Sequence, residues 1–127
     1  MSAPISSLME RRVWSIGMDD TIAQVDALFT QHALSWAPVF EAGGVIVGAI
    51  SASDLLQFHA QGRDAEAVRA WQLCSYKPIS VDQATPINEV ARLMLAQQIH
   101  HVVVTNQAGV AGVVSSLDFV RAYATAV

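Results

Sequence analysis

Gly48-Ala49-Ile50-Ser51-Ala52-Ser53-Asp54 is the stretch that decides how this chain reads, because it occurs twice. Gly112-Val113-Val114-Ser115-Ser116-Leu117-Asp118 repeats it near the C-terminus. Each copy reads as the end of a strand, then a hydroxyl residue, then an aspartate opening a short helix. Outward from this motif the match continues. Leu8, Ser15, Ile22, Val25 and Leu28 stand opposite Leu73, Ser80, Ile87, Val90 and Leu93, all at a separation of 65. Arg12 falls opposite Lys77, Phe29 opposite Met94, and Val39 opposite Val104. The turn Glu41-Ala42-Gly43-Gly44 matches Asn106-Gln107-Ala108-Gly109, after which the separation shortens to 64 through one deletion in the hairpin. Hydrophobic period, turn and motif recur in the same order, so the chain is two copies of one unit.

Within the first copy, residues 5–16 read as a helical turn leading into a short extended piece. Asp20 or Thr21 then offers an oxygen to cap a helix whose apolar face is Ile22, Val25, Leu28 and Phe29, ending near Ala33. Trp36–Phe40 reads as a strand, with Pro38 confining it to an edge or to its first residues. Val45–Ile50 is the strand that pairs back, and Ser51 or Ser53 caps the helix that follows, which Gly62 ends. Asp64–Leu73 is expected to form a further helix as the linker. The repeats are set at 1–62 and 73–127, with the linker at 63–72.

Composition bounds the function. Hydrophobic residues make up 53% of the 127 and charged ones 14%. This excludes disorder and predicts that apolar surface is buried against another subunit. No apolar run approaches the length of a membrane span, and Met1–Arg12 lacks the apolar core of a signal peptide, so a cytoplasmic protein is expected. A single cysteine, Cys74, excludes an intrachain disulfide and a cysteine-based zinc site; its place opposite Met9 makes it a packed apolar position. The net charge of −4 gives no general attraction to nucleic acid. There is no Gly-Lys-Ser/Thr phosphate loop, no cysteine pair and no His-Glu-x-x-His, so no enzyme and no bound metal or resident cofactor are expected.

At this point the pattern is specific. An apolar helix, a strand with a Pro-Val pair, a turn, then Gly-apolar-apolar-Ser-x-x-Asp is the pattern of a CBS domain. Trp36-Ala37-Pro38-Val39 through Asp54 resembles it throughout; His101-Val102-Val103-Val104 through Asp118 resembles it with Val103 in place of the proline. The pair resembles a Bateman module and covers residues 5–124. The resemblance implies an α+β fold of two tandem β-α-β-β-α repeats, packed through their sheets with pseudo-twofold symmetry. It also implies homodimers, and clefts between repeats that bind AMP, ADP, ATP or S-adenosylmethionine and signal to a regulated partner.

Two readings of the Ser-x-x-Asp pairs stand side by side. Asp54 and Asp118 can accept from both hydroxyls of a ribose, with Ser51 and Ser115 donating to phosphate or ribose and a helix N-terminus beside them. Alternatively the pairs are helix caps, and an aspartate can serve both ends. By resemblance, one cleft combines Ser115 and Asp118 with Arg12, Val13, Trp14, Trp36 and Ala37. The other combines Ser51 and Asp54 with Lys77, Pro78, Ile79, His101 and Val102. Trp14 and Trp36 can stack on a base or serve as core. Arg12, Lys77, His100 and His101 are the cations available to phosphate. His100 and His101 are adjacent, so on a strand only one faces a cleft. Ser35 stands opposite His100, which makes the clefts chemically unequal. The leading expectation is a nucleotide-sensing regulatory module; the alternative is an interaction module that binds no nucleotide.

Overall fold

The computed structural model describes residues 3–75 and 77–125. The ends of the two repeat spans, residues 1–2 and 126–127, lie outside the described residues. The chain forms two compact units that are not consecutive stretches: residues 14–78 make one, and residues up to 13 join residues 79 onward to make the other. We call these the first and second units.

The first unit holds β1 (Ile16–Gly17), α1 (Ile22–His32), β2 (Trp36–Phe40), β3 (Ile46–Ser51), α2 (Ala52–Ala60) and α3 (Ala70–Leu73). Its sheet runs β1-β2-β3, parallel then antiparallel. The second unit holds a 3₁₀ turn at Ile5–Ser7, then β4 (Ser80–Asp82), α4 (Ile87–Gln97), β5 (His101–Asn106), β6 (Gly109–Ser115) and α5 (Ser116–Thr125). Its sheet runs β4-β5-β6 with the same directions. The repeat read from sequence is therefore a repeat of structure, and the fold is α+β. The match extends to detail. A register shift falls between Val39 and Phe40 in one sheet and between Val104 and Thr105 in the other. Both first helices end on a left-handed residue, Ala33 and Gln98.

Each unit has its own core. Ile16, Ile22, Val25, Phe29, Val39, Ile50 and Phe58 fill the first; Ile5, Val90, Met94, Val102, Val104, Val114 and Phe119 fill the second. Burying side chains of this size contributes about 1.5–3 kcal/mol each. Ile5 and Met9 lie in the first repeat as read from the sequence, yet they pack in the second core.

The linker departs from expectation. Only Ala70–Leu73 is helical, while Asp64 Oδ1 accepts from the Glu66 N–H at 2.9 Å in a turn. The carbonyls of this segment are used elsewhere: Val68 accepts from the Ile22 N–H at 2.9 Å and Ala65 from the Ala23 N–H at 3.0 Å. They satisfy the first N–H groups of α1, which have no partner inside that helix, and a linker helix would withdraw them. In the second unit the Ala3 carbonyl does the same for the Ile87 N–H at 2.9 Å.

The proline also departs from expectation. β2 is the middle strand, and Pro38 is its third residue, opposite Ala49. It is tolerated because β1 pairs only with Val39 and Phe40. At the matching place, the Val103 N–H donates to the Ile79 carbonyl at 3.0 Å and β4 pairs from Val103 onward. Pro38 has no N–H to give, so the parallel pairing in the first unit starts one residue later.

Candidate functional site

The repeated glycine is explained by what crosses it. A Cβ on Gly48 would lie 2.2 Å from the Ser75 carbonyl oxygen and 2.7 Å from Cys74 Sγ. A Cβ on Gly112 would lie 2.6 Å from the Glu10 carbonyl oxygen and 2.9 Å from Met9 Sδ. Residues 74–75 lie on β3, and residues 9–10 lie on β6, through single bridges Ala49–Ser75 and Glu10–Val113. Cys74 thus packs against the first core, and its burial pushes the thiol pKa up.

Three residues on from each glycine, the chain turns from strand to helix in the same way twice. Asp54 Oδ2 accepts from the Ser51 N–H at 2.8 Å, and Ser51 Oγ accepts from the Asp54 N–H at 3.1 Å. Asp118 Oδ2 accepts from the Ser115 N–H at 2.8 Å, and Ser115 Oγ accepts from the Asp118 N–H at 3.3 Å. These are reciprocal capping boxes. Ser51, and not Ser53, is the cap. All four side chains are half-buried. The first N–H of each helix is satisfied from the preceding loop: the Ser35 carbonyl accepts from Ala52 at 2.8 Å and the His100 carbonyl from Ser116 at 3.0 Å. One carboxylate oxygen of each aspartate is held by its cap. The other, Oδ1, lies outside it, and in Asp118 it is 3.9 Å from Arg121 Nη1.

Pairing across the sheets sets the neighbours of each motif. Trp36 is opposite Ser51 and Ala37 opposite Ile50; His101 is opposite Ser115 and Val102 opposite Val114. Directly opposed side chains share a face. Within the first unit, then, an indole stands beside the Ser51–Asp54 turn. Within the second, an imidazole stands beside the Ser115–Asp118 turn. The resemblance groups Trp36 with Ser115 and Asp118, and His101 with Ser51 and Asp54, whereas strand pairing sets each ring beside the motif of its own unit. Ala37 and Val102 are buried. His101 begins β5, whereas His100 precedes it and is exposed, with Nδ1 3.4 Å from Ser116 Oγ. Burial lowers the pKa of His101, the neighbouring His100 lowers it further, and Asp118 opposes both. The imidazole best placed beside the motif is thereby favoured in its neutral form.

The remaining candidates are divided between the units. Arg12 and Val13 close the N-terminal segment of the second unit, where Ile79 leads into β4. The Arg12 N–H donates to Glu10 Oε1 at 3.0 Å. Lys77 and Pro78 end the first unit, and Lys77 is exposed. Trp14 opens the first unit, and its indole stacks on the His32 imidazole with ring centroids 3.5 Å apart and planes 16° apart. Sequence reading did not single out His32. It lies in the last turn of α1, eighteen positions from Trp14, so no local spacing links the two rings.

Two further features distinguish the helix pairs. In the first unit, His59 Nε2 on α2 is 2.8 Å from Asp26 Oδ2 on α1. Ala91 and Tyr123 stand at those places in the second unit, and there they line an apolar groove of about 210 Å³ with Met94, Leu95, Ser116 and Phe119. No residue of the groove is among the predicted ligand contacts. No described helix is long and apolar enough to cross a membrane.

The comparisons with known proteins follow this geometry. The chain is 26% identical over 115 residues to the CBS domain-containing protein YhcV of Bacillus subtilis, covering 90% of this chain and 81% of the relative. Its fold is similar to that of an uncharacterized conserved protein from Pyrococcus horikoshii, with TM-score 0.84, 20% identity, and coverage of 97% and 93%. It is also similar to the CBS domain of a bacterial CNNM/CorC family Mg2+ transporter in complex with ATP, with TM-score 0.84, 22% identity, and coverage of 94% and 85%. A third likeness is to the CBS domain pair of protein MJ0100 in complex with 5′-methylthioadenosine and S-adenosylmethionine, with TM-score 0.82, 20% identity, and coverage of 95% and 99%. The model of the CBS domain matches residues 5–60 and again residues 70–125. With one match on each repeat and nearly the whole length covered, the chain belongs to the CBS-domain family as a tandem pair of CBS domains.

Proposed function

We infer that this chain is a non-catalytic regulatory module that binds an adenosine-containing nucleotide and passes the event to a partner protein. The observation that carries this reading is the doubled Ser-x-x-Asp turn. In each unit a helix start, a carboxylate with one oxygen outside its cap, and a ring-bearing residue on the adjoining strand come together. That set suits a ribose diol, a phosphate and a base. The ATP held by the CNNM/CorC CBS domain and the S-adenosylmethionine and 5′-methylthioadenosine held by MJ0100 support the ligand class. The binding set is Ser51, Asp54, Ser115 and Asp118 with Arg12, Val13, Trp14, Trp36, Ala37, Lys77, Pro78, Ile79, His100, His101 and Val102.

Leu56, Leu95, Val120 and Tyr123 are each more than half exposed, which supports pairing of two copies. Sedimentation giving a monomer at all concentrations would remove that part of the reading.

A thermal-shift series with AMP, ADP, ATP and S-adenosylmethionine tests the function. A ligand at 100 times its Kd should stabilise by about 2.7 kcal/mol, roughly 5–15 °C at this size. Asp54→Ala and Asp118→Ala should each lose about 0.5–2 kcal/mol of stability through the cap. One of them should also lose most of the nucleotide affinity. Equal loss of stability with no nucleotide shift in the native chain would make the turns caps alone and the protein an assembly module.

A further inference from the structure

We propose that His32 is a positioning residue for the nucleobase: it holds the Trp14 indole as a ready-made stacking wall. This rests on the nucleotide reading above and assigns a residue that reading did not include. The argument starts from the stack itself, with centroids 3.5 Å apart and planes within 16°. Both rings stand on anchored backbone. His32 lies in the last turn of α1, which is fixed at its start by the Thr21–Gln24 capping box and along its face by buried Ile22, Val25 and Phe29. Trp14 lies two residues before Ile16, which is fully buried and pairs with Val39. An indole held flat on a ring at the end of a helix anchored by its buried face has lost rotamer freedom before any ligand arrives. Binding then avoids the cost of ordering that side chain.

The second repeat has no such device. Ile79 and Gln97 stand at the matching places, and neither carries a ring. The two repeats thus differ in base recognition as well as in phosphate-side charge, and the base held by Trp14 is the one that His32 governs.

Two measurements test this. In a chain carrying Trp36→Phe and Trp71→Phe, Trp14 is the sole indole, since the chain has three tryptophans. Its emission should rise and its anisotropy fall in His32→Ala, because a contacting imidazole quenches and restrains indole. His32→Phe should restore the anisotropy. Identical emission and anisotropy with His32 and with alanine would overturn the stack. Calorimetry with ATP and with S-adenosylmethionine, in the otherwise native chain, should show binding weakened about three- to tenfold by His32→Ala and recovered by His32→Phe, at an unchanged unfolding midpoint. Binding that His32→Ala leaves intact would overturn the positioning role while leaving the nucleotide reading standing. No binding by the native chain would overturn that reading and this assignment with it.

Discussion

The first and second units were built from the same pattern, yet they agree and differ in different places. They agree at three features of the backbone. Both need a glycine where another segment crosses the last strand, both turn from that strand into the next helix through a Ser-x-x-Asp box, and both end their first helix in a left-handed residue. They differ in one stretch of strand pairing and where side chains meet each other or the surface. Pro38 answers Val103, the Asp26–His59 pair answers Ala91 and Tyr123, and the Trp14–His32 stack answers Ile79 and Gln97. Repetition is strict where geometry leaves no alternative, and loose where a fold tolerates any of several contacts. On the proposed reading a nucleotide would meet both the shared Ser-x-x-Asp turn and the differing rings beside it, so the two halves are not expected to be equal binders.

The largest break in this likeness should come from the crossings. Gly48→Ala and Gly112→Ala force a methyl group against a backbone carbonyl, which cannot swing away as a side chain tip can. Overpacking of this kind costs about 1–3 kcal/mol, and more where backbone must move. Gly48→Ala should cost more than Gly112→Ala, since its carbonyl contact is closer. Urea denaturation of both variants checks the order, and a cost below 0.5 kcal/mol, roughly the size of an ordinary surface change, would mean that the crossing segments lift off freely.

A smaller effect should come from making the sheets alike. Val103→Pro removes the N–H that donates to the Ile79 carbonyl and should shorten the β4–β5 pairing to the pattern of the first unit. The expected cost is about 1–3 kcal/mol, the range for leaving a buried partner unsatisfied. Pro38→Val should cost less than 1 kcal/mol, being a swap into a place the other repeat already fills with valine, with the loss of proline rigidity as the main term, about 0.4–1 kcal/mol. Comparable losses from both would show that the proline is itself the stabilising choice.

The smallest expected effect concerns His101, which has Trp36 as its counterpart. Burial holds its folded pKa below the ordinary value of ~6.5. Between the two values the unfolded chain binds a proton that the folded chain does not. Stability should therefore rise with pH through that window and fall as the pH drops below about 6.5. Denaturation at pH 7 and pH 5 should show a slope that His101→Gln flattens. Asp118→Asn should steepen it, because the aspartate carboxylate opposes the shift. A slope that His101→Gln leaves unchanged would assign the titration to other groups.

Much of this was legible in the chain alone. The two copies, their main helices and hairpins, and a serine cap at each motif (Ser51 or Ser53 in the first) follow from period, turn residues and the repeated motif, because those signals act over a few residues. Ala33 as the end of α1 and Gly62 as the end of α2 were likewise local. Three things were settled only by tertiary structure. The linker 64–69 has helix-compatible residues but spends its carbonyls on α1. Ile5 and Met9 belong to the first repeat in sequence but fill the core of the second unit. His32 lies flat on Trp14 across eighteen positions of sequence. In each case the deciding partner is distant along the chain, and a backbone carbonyl, a buried methyl group or a ring face leaves no mark on the residues next to it.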